Sequence, residues 1–244
     1  MAYAVGQLIK ETIASPNQYL TSLNFSGEQF NNPEYVPISF EEEENGENKP
    51  IYVNDYMISY EGGYFSTSEV YHLSFYLDRM WVGPEGNKKT VDFHLKIQLK
   101  SGDGDVAFYQ DVKRIKVEGG NEGDKALISV VFSPNDSTYN NILLRIERTQ
   151  EDWEAGYAKE LTVSDIKLEK VVNILPQTNI KKIGIQGTSG LMFTLNGEEM
   201  IIGRTGIYEL YHPDIPINYL GFVTYSDDDF FIVDYQYEEK EASS

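Results

Sequence analysis

Val91-Asp92-Phe93-His94-Leu95-Lys96-Ile97-Gln98-Leu99-Lys100 is the stretch that decides the fold. Its apolar and polar residues alternate without exception. A strand turns successive side chains to opposite faces, so a strict period of two sorts these residues into one apolar and one polar face. One face on a core and one face toward water is the signature of an antiparallel sheet. The same alternation recurs on either side. Tyr71, Leu73, Phe75 and Leu77 share a face in Tyr71–Asp78, and Ile142, Leu144 and Ile146 face away from Arg145 and Glu147. Residues 106–117, 126–132 and 161–172 read as further strands.

Turn-forming clusters separate these segments: Gly62-Gly63, Gly83-Pro84-Glu85-Gly86-Asn87, residues 101–105, residues 119–124 and Ser133-Pro134-Asn135-Asp136. Roughly eight or nine strands in about 170 residues predict an all-β chain with an N-terminal jelly-roll-like β-sandwich. Helix is confined to two short places. Val5, Leu8, Ile9 and Ile13 fit one helical face ended by Ser15-Pro16-Asn17, and residues 150–158 are the other.

The strand pattern breaks at Asn173-Ile174-Leu175-Pro176-Gln177-Thr178-Asn179, which predicts a sandwich domain over 1–175 and a small β-module over 176–244. About six short strands fit within 180–237. Asn196-Gly197 is a hairpin signal, because both residues tolerate positive φ. The acidic tail Glu238–Ser244 reads as frayed.

At 244 residues and 41% apolar content the chain has ample material for a core, and its 18 Tyr and 12 Phe favour strands. It has no cysteine, which removes disulfides, thiolate metal sites and cysteine nucleophiles. The N-terminus lacks the pattern of a signal peptide, and no apolar run is long enough to predict membrane insertion. With 39 acidic residues against 20 basic ones, the net charge of −19 argues against nucleic acid as a partner.

No nucleophile elbow, phosphate-binding loop, dinucleotide fingerprint or zinc-protease motif occurs, so the expectation is a protein that is not an enzyme. Of the three histidines, His72 and His94 fall on the polar faces of strands and His212 in a loop, all read as ordinary surface residues. A zinc site from His72 and His94 on adjacent strands has no motif behind it. Asp103 and Asp105 place carboxylates in a turn, where a structural calcium is the candidate cofactor and a solvated turn the plainer reading. Asp227-Asp228-Asp229 reads as a solvated loop, and Glu41–Glu47 as an acidic loop tip that shields an edge. Tyr52, Tyr56 and Tyr60 share strand parity and, with Tyr64, Trp81 and Trp153, are candidates for stacking on a glycan. The alternative for them is sheet packing or a subunit contact.

Two resemblances add to this. Leu161-Thr162-Val163-Ser164-Asp165-Ile166-Lys167-Leu168-Glu169-Lys170 resembles the closing strand of jelly-roll carbohydrate-binding modules. That likeness implies a glycan ligand on a cell wall or capsule. The series Lys182–Gly187, Met192–Gly197, Ile202–Glu209, Leu220-Gly221-Phe222 and Phe231–Glu238 resembles a C-terminal β-module of virion structural proteins from tailed phages and prophages of Firmicutes. This second likeness implies a non-enzymatic tail, baseplate, neck or head-decoration protein, assembled in the bacterial host cytoplasm and located in the virion. Its implied partners are other virion proteins, further copies of itself in a homo-oligomer, and a host-surface glycan.

Overall fold

The computed structural model describes residues 8–13, 19–30, 34–41, 48–78, 93–102, 107–120, 123–149, 162–175, 180–203, 207–211, 216–224 and 231–238. Among them every regular element is a strand, and the chain is all-β. It divides into two compact units. The smaller comprises Met1–Thr21, Val70–His72 and Glu169–Ser244, and the larger Ser22–Glu69 and Leu73–Leu168.

The larger unit is a jelly-roll-like β-sandwich. Strands β3 (Phe25–Gly27), β5 (Asn48–Tyr60), β10 (Asn141–Thr149), β7 (Phe93–Lys100) and β8 (Tyr109–Val117) lie in that order, with β4 (Glu34–Glu41) also paired to β5. A second sheet has the order β2 (Leu20–Ser22), β11 (Val163–Val171), β6 (Tyr71–Asp78) and β9 (Lys125–Phe132). Alternation places Leu95, Ile97, Leu99, Ile142, Leu144, Ile146 and Ile58 on one face of the first sheet, all completely buried. Leu73, Phe75, Leu77 and Val130 do the same for the second. Burying a side chain of this size contributes about 1.5–3 kcal/mol, and regular alternation delivers one such residue every second position.

One end of the sandwich is laced together by Asn140. Its carbonyl accepts from Tyr60 N at 2.9 Å, its own N–H donates to Lys100 O at 3.2 Å, and its Oδ1 accepts from Gly102 N at 3.1 Å. Beside it Phe65 stacks on Tyr60 at 4.9 Å and meets Phe132 edge-on at 5.7 Å.

The smaller unit holds the six strands expected between 180 and 237. They are β12 (Ile180–Gly187), β13 (Met192–Leu195), β14 (Glu198–Ile201), β15 (Ile207–Tyr211), β16 (Leu220–Thr224) and β17 (Phe231–Glu238). Its two sheets run β1-β17-β12-β15 and β14-β13-β16, where β1 is Leu8–Ile13. The short N-terminal helix is therefore corrected to a strand. Leu8 to Ile13 pair residue for residue with Glu238 to Val233, so backbone groups that a helix would satisfy internally are satisfied by β17 instead. The other helix expected, at 150–158, lies outside the described residues. The module core centres on Phe222 and Phe231, stacked at 3.8 Å, with Tyr19 edge-on to both at 5.9 and 5.4 Å.

Asn196 and Gly197 form the hairpin turn that their sequence signals, with φ of 49° and 92° between paired Leu195 and Glu198. The Asn196 side chain does more than turn the chain. Its Oδ1 accepts from Asn218 N at 2.8 Å and Tyr219 N at 3.1 Å, and its Nδ2 donates to Pro216 O at 3.1 Å. Nearby, Thr194 is completely buried and its Oγ1 makes no hydrogen bond.

Two stability predictions follow from these contacts. Asn196→Ala should cost about 2–3 kcal/mol, from the left-handed backbone and the lost bonds together, and Asn196→Gly visibly less. Thr194→Val, which keeps the shape and removes the unsatisfied hydroxyl, should stabilise by about 1 kcal/mol. Urea denaturation of the three variants checks both.

Candidate functional site

The face of the six-stranded sheet that points away from the core carries an ordered set of charges. Register sets it out in rungs. Asp55 on β5, Arg145 on β10, Lys96 on β7 and Arg114 on β8 lie side by side across four strands. The next rung toward the β10 C-terminus is Val53, Glu147, His94 and Lys116. In the other direction come Met57, Leu143, Gln98 and Asp111, then Ser59, Asn141, Lys100 and Tyr109.

A β-bulge makes these rungs possible. Ile97 pairs with Lys113 but Gln98 with Asp111, so Val112 is the extra residue on β8. Without it Tyr109 and Asp111, two residues apart in phase, would sit on the opposite face from Arg114 and Lys116. With it all four side chains share the outer face.

Three cations on adjacent strands repel one another unless anions are interleaved. Here each cation has its carboxylate. Arg145 donates Nε and Nη2 to the two oxygens of Asp55, both at 2.7 Å. These bonds are the main reason that the Arg145 guanidinium is held above its ordinary range, and Tyr109 and Glu147 add to the effect. Lys96 Nζ lies 3.4 Å from Asp111 Oδ1, which also accepts from Gln98 Nε2 at 2.6 Å. Arg114 Nε lies 3.6 Å from Glu147 Oε2, close enough for attraction but too long for a hydrogen bond.

Solvent reaches this face unevenly. On the β5 and β10 side Val53, Asn141 and Leu143 are buried. On the β8 side Tyr109 is 48% exposed, and the Asp111 and Arg114 side chains 69% and 43%. Glu147 stands at the margin with its side chain 9% exposed and its Oε2 accepting no hydrogen bond. Burial pushes its carboxyl above the usual range, and the nearby Arg114, Lys96 and Arg145 only partly offset that. An oriented Arg145 guanidinium, with the exposed Asp111, Arg114 and Tyr109 side chains along the β8 side, is a polar surface able to exchange hydrogen bonds with a ligand rich in hydroxyl groups.

Of the residues singled out from sequence, the described tyrosines fall elsewhere and His94 lies on this face. Tyr52, Tyr56 and Tyr60 do share a face, and it is the inward one, in phase with buried Ile58. Tyr56 packs on Phe30 at 5.3 Å and closes over Gly27, burial raises its phenol pKa, and Tyr60 stacks on Phe65. Tyr52 pairs with Arg148, which burial pulls down to about 10. Tyr64 is 65% exposed in the turn after β5. Trp81, Trp153, Asp103, Asp105 and Asp227–Asp229 lie outside the described residues.

His72 and His94 are not on adjacent strands, since β6 and β7 belong to different sheets. His72 is also no surface residue. It is 4% exposed, with Nδ1 3.0 Å from Glu169 Oε2 on the neighbouring β11. Among the described residues no three His, Asp or Glu side chains are grouped to hold a metal.

Alternation puts Arg145 and Glu147 on the polar side of their strand, but it does not group them with the β7 and β8 residues. One signal was available. Strands β7 and β8 carry five Lys or Arg and a single acidic residue, within a chain that has 39 acidic and 20 basic residues.

The chain matches no protein-family model and no curated protein. Among solved structures it is similar to the CBM22-1 and GH10 modules of endo-1,4-β-D-xylanase 10B from Clostridium thermocellum, complexed with xylohexaose. That likeness has 12% identity and a TM-score of 0.33, and covers 65% of this chain but only 29% of the xylanase chain. The CBM22-1 xylan-binding domain of Paenibacillus barcinonensis Xyn10C aligns at 15% identity and TM-score 0.33, over 70% of this chain and 98% of that one. The CBM22-1–CBM22-2 tandem of the same protein aligns at 13% and 0.32, over 100% and 94%. Likenesses at this level carry no functional argument. None of the three is a virion protein, so the expectation of a phage structural protein acting by assembly and homo-oligomerisation finds no support among them.

Glu147 gives a pH test. A carboxyl whose pKa is raised on folding favours the fold below its ordinary pKa, and loses that contribution as pH rises through the raised value. Glu147→Gln should therefore gain thermal stability relative to the parent as pH is raised from about 4 to about 7. Melting curves across that range check it, and a constant difference would contradict the assignment.

Proposed function

We propose that the larger unit is a non-catalytic glycan-binding module whose ligand lies on the β7–β8 side of the outer sheet face. The observation that carries this reading is the solvent-accessible polar surface of β8, where the Asp111 carboxylate and the Arg114 guanidinium stand 69% and 43% exposed. Sugar hydroxyls both donate and accept, so they match the exposed Asp111 carboxylate and Arg114 guanidinium from the solvent side. Arg145 supplies the complementary donor, and Asp55 fixes its plane before any ligand arrives. That pre-organisation lowers the ordering cost of binding. Tyr109 provides an exposed aromatic surface on β8, two strands away from β10. Binding through a rigid sheet face, with no nucleophile motif in the sequence, supports recognition without turnover.

Affinity electrophoresis of the full chain through gels containing individual cell-wall, capsular and plant polysaccharides tests the reading. At least one polymer should retard the parent protein. Tyr109→Ala should weaken that retardation about tenfold, equivalent to about 1.4 kcal/mol, while leaving the melting temperature unchanged. A parent protein that migrates freely through every gel overturns the proposal.

A further inference from the structure

Strands β7 and β8 run against the charge of the whole molecule. On the outer face Lys96, Lys100, Arg114 and Lys116 of these strands, with Arg145 of β10, stand as five cations among the three carboxylates Asp55, Asp111 and Glu147. The chain as a whole carries −19. We infer that the glycan held on this face is an anionic one, bearing uronic-acid carboxylates that take the places facing Lys96, Lys100, Arg114 and Lys116. This inference rests on the glycan reading above and names the ligand class.

Two features favour a carboxylated polymer. The first is spacing. The register puts Lys96, Arg114 and Arg145 on one rung, with Lys100 beside Tyr109 two rungs away and Lys116 one rung away on the other side. From Lys100 to the Lys116 rung is about 20 Å along the strands, so the positive charge forms a strip and fits a repeating charge better than a single terminal group. The second is partner geometry. Asp55, Asp111 and Glu147, which face these cations within the fold, are all carboxylates. A sugar carboxylate meeting Arg114 or Lys96 from the solvent side repeats that pairing. Lysine on an edge strand also discourages unwanted strand pairing. That role needs charge at the edge alone, and does not call for Lys96 and Arg145 on the two inner strands.

The test uses three uronate polymers, polygalacturonate, alginate and a glucuronic-acid-bearing xylan, each beside its carboxyl-reduced neutral form. A cell-wall teichoic acid serves as a phosphate control. The full-length parent protein should be retarded by at least one uronate polymer, and at least tenfold less by the reduced form of the same polymer. The binding should fall as salt rises from about 0.05 to 0.5 M, as expected for screened surface charges. The double variant Arg114→Gln/Lys116→Gln should lose most of the uronate binding while its melting temperature stays within a few degrees of the parent.

Equal binding to native and reduced polymers overturns the anionic assignment and leaves glycan binding standing. Binding to teichoic acid in preference to every uronate polymer replaces carboxylate with phosphate and also overturns it. No binding to any uronate polymer overturns it as well, and the neutral polysaccharides of the preceding test then decide separately whether the glycan reading survives.

Discussion

Pairing of β10 between β5 and β7 is the constraint on which the larger unit depends. Over Asn141–Glu147 the strand is bonded on both sides, so its register fixes both faces of the sheet together. Ile142, Leu144 and Ile146 point inward and are completely buried. Arg145 and Glu147 must then point outward, because a pleated strand leaves no other choice. A slip of one residue would put two charges into the core and three aliphatic side chains on the outer face. The hydrophobic cost of that exchange holds the outward residues in place, and the ion pairs at the surface need not do so.

On this frame the outer face solves an electrostatic problem. Asp55 fixes Arg145 by two short bonds, while Asp111 and Glu147 accompany Lys96 and Arg114 more loosely. The three pairs differ in burial, and their chemistry follows from that. Asp111 is well exposed, so its pair contributes little to stability and its geometry is free to change on binding. Glu147 is sealed, so its carboxylate is held at a cost that the cations beside it do not fully offset. The outer face therefore combines one rigid ion pair, one buried carboxylate and one solvent-exposed pair.

The smaller unit shows how far local sequence reaches. Its six strands and the Asn196-Gly197 turn were legible, since a two-residue hairpin with positive φ has a strong local signature. The part played by Leu8–Ile13 was not. Six residues with apolar positions at 8, 9 and 13 suit a helical face as well as a strand, and a partner more than two hundred residues away decides between them. Asn196 has the same double nature. Its φ follows from its residue type, whereas its bonds to Asn218, Tyr219 and Pro216 follow from where the chain returns.

Sequence by itself determined the all-β class, the inward residues of the principal strands, the outward placement of Arg145 and Glu147, and the absence of a recognisable catalytic motif. All of these depend on short-range periodicity and residue type. Tertiary structure alone decided that Tyr52, Tyr56 and Tyr60 face inward, that His72 is buried against Glu169, and that Tyr109 and Asp111 join Arg114 and Lys116 on one surface. The last depends on a single extra residue, Val112, opposite a continuous β7. Parity along β8 predicts two different faces for these side chains, and only pairing with a neighbouring strand shows where the count is interrupted.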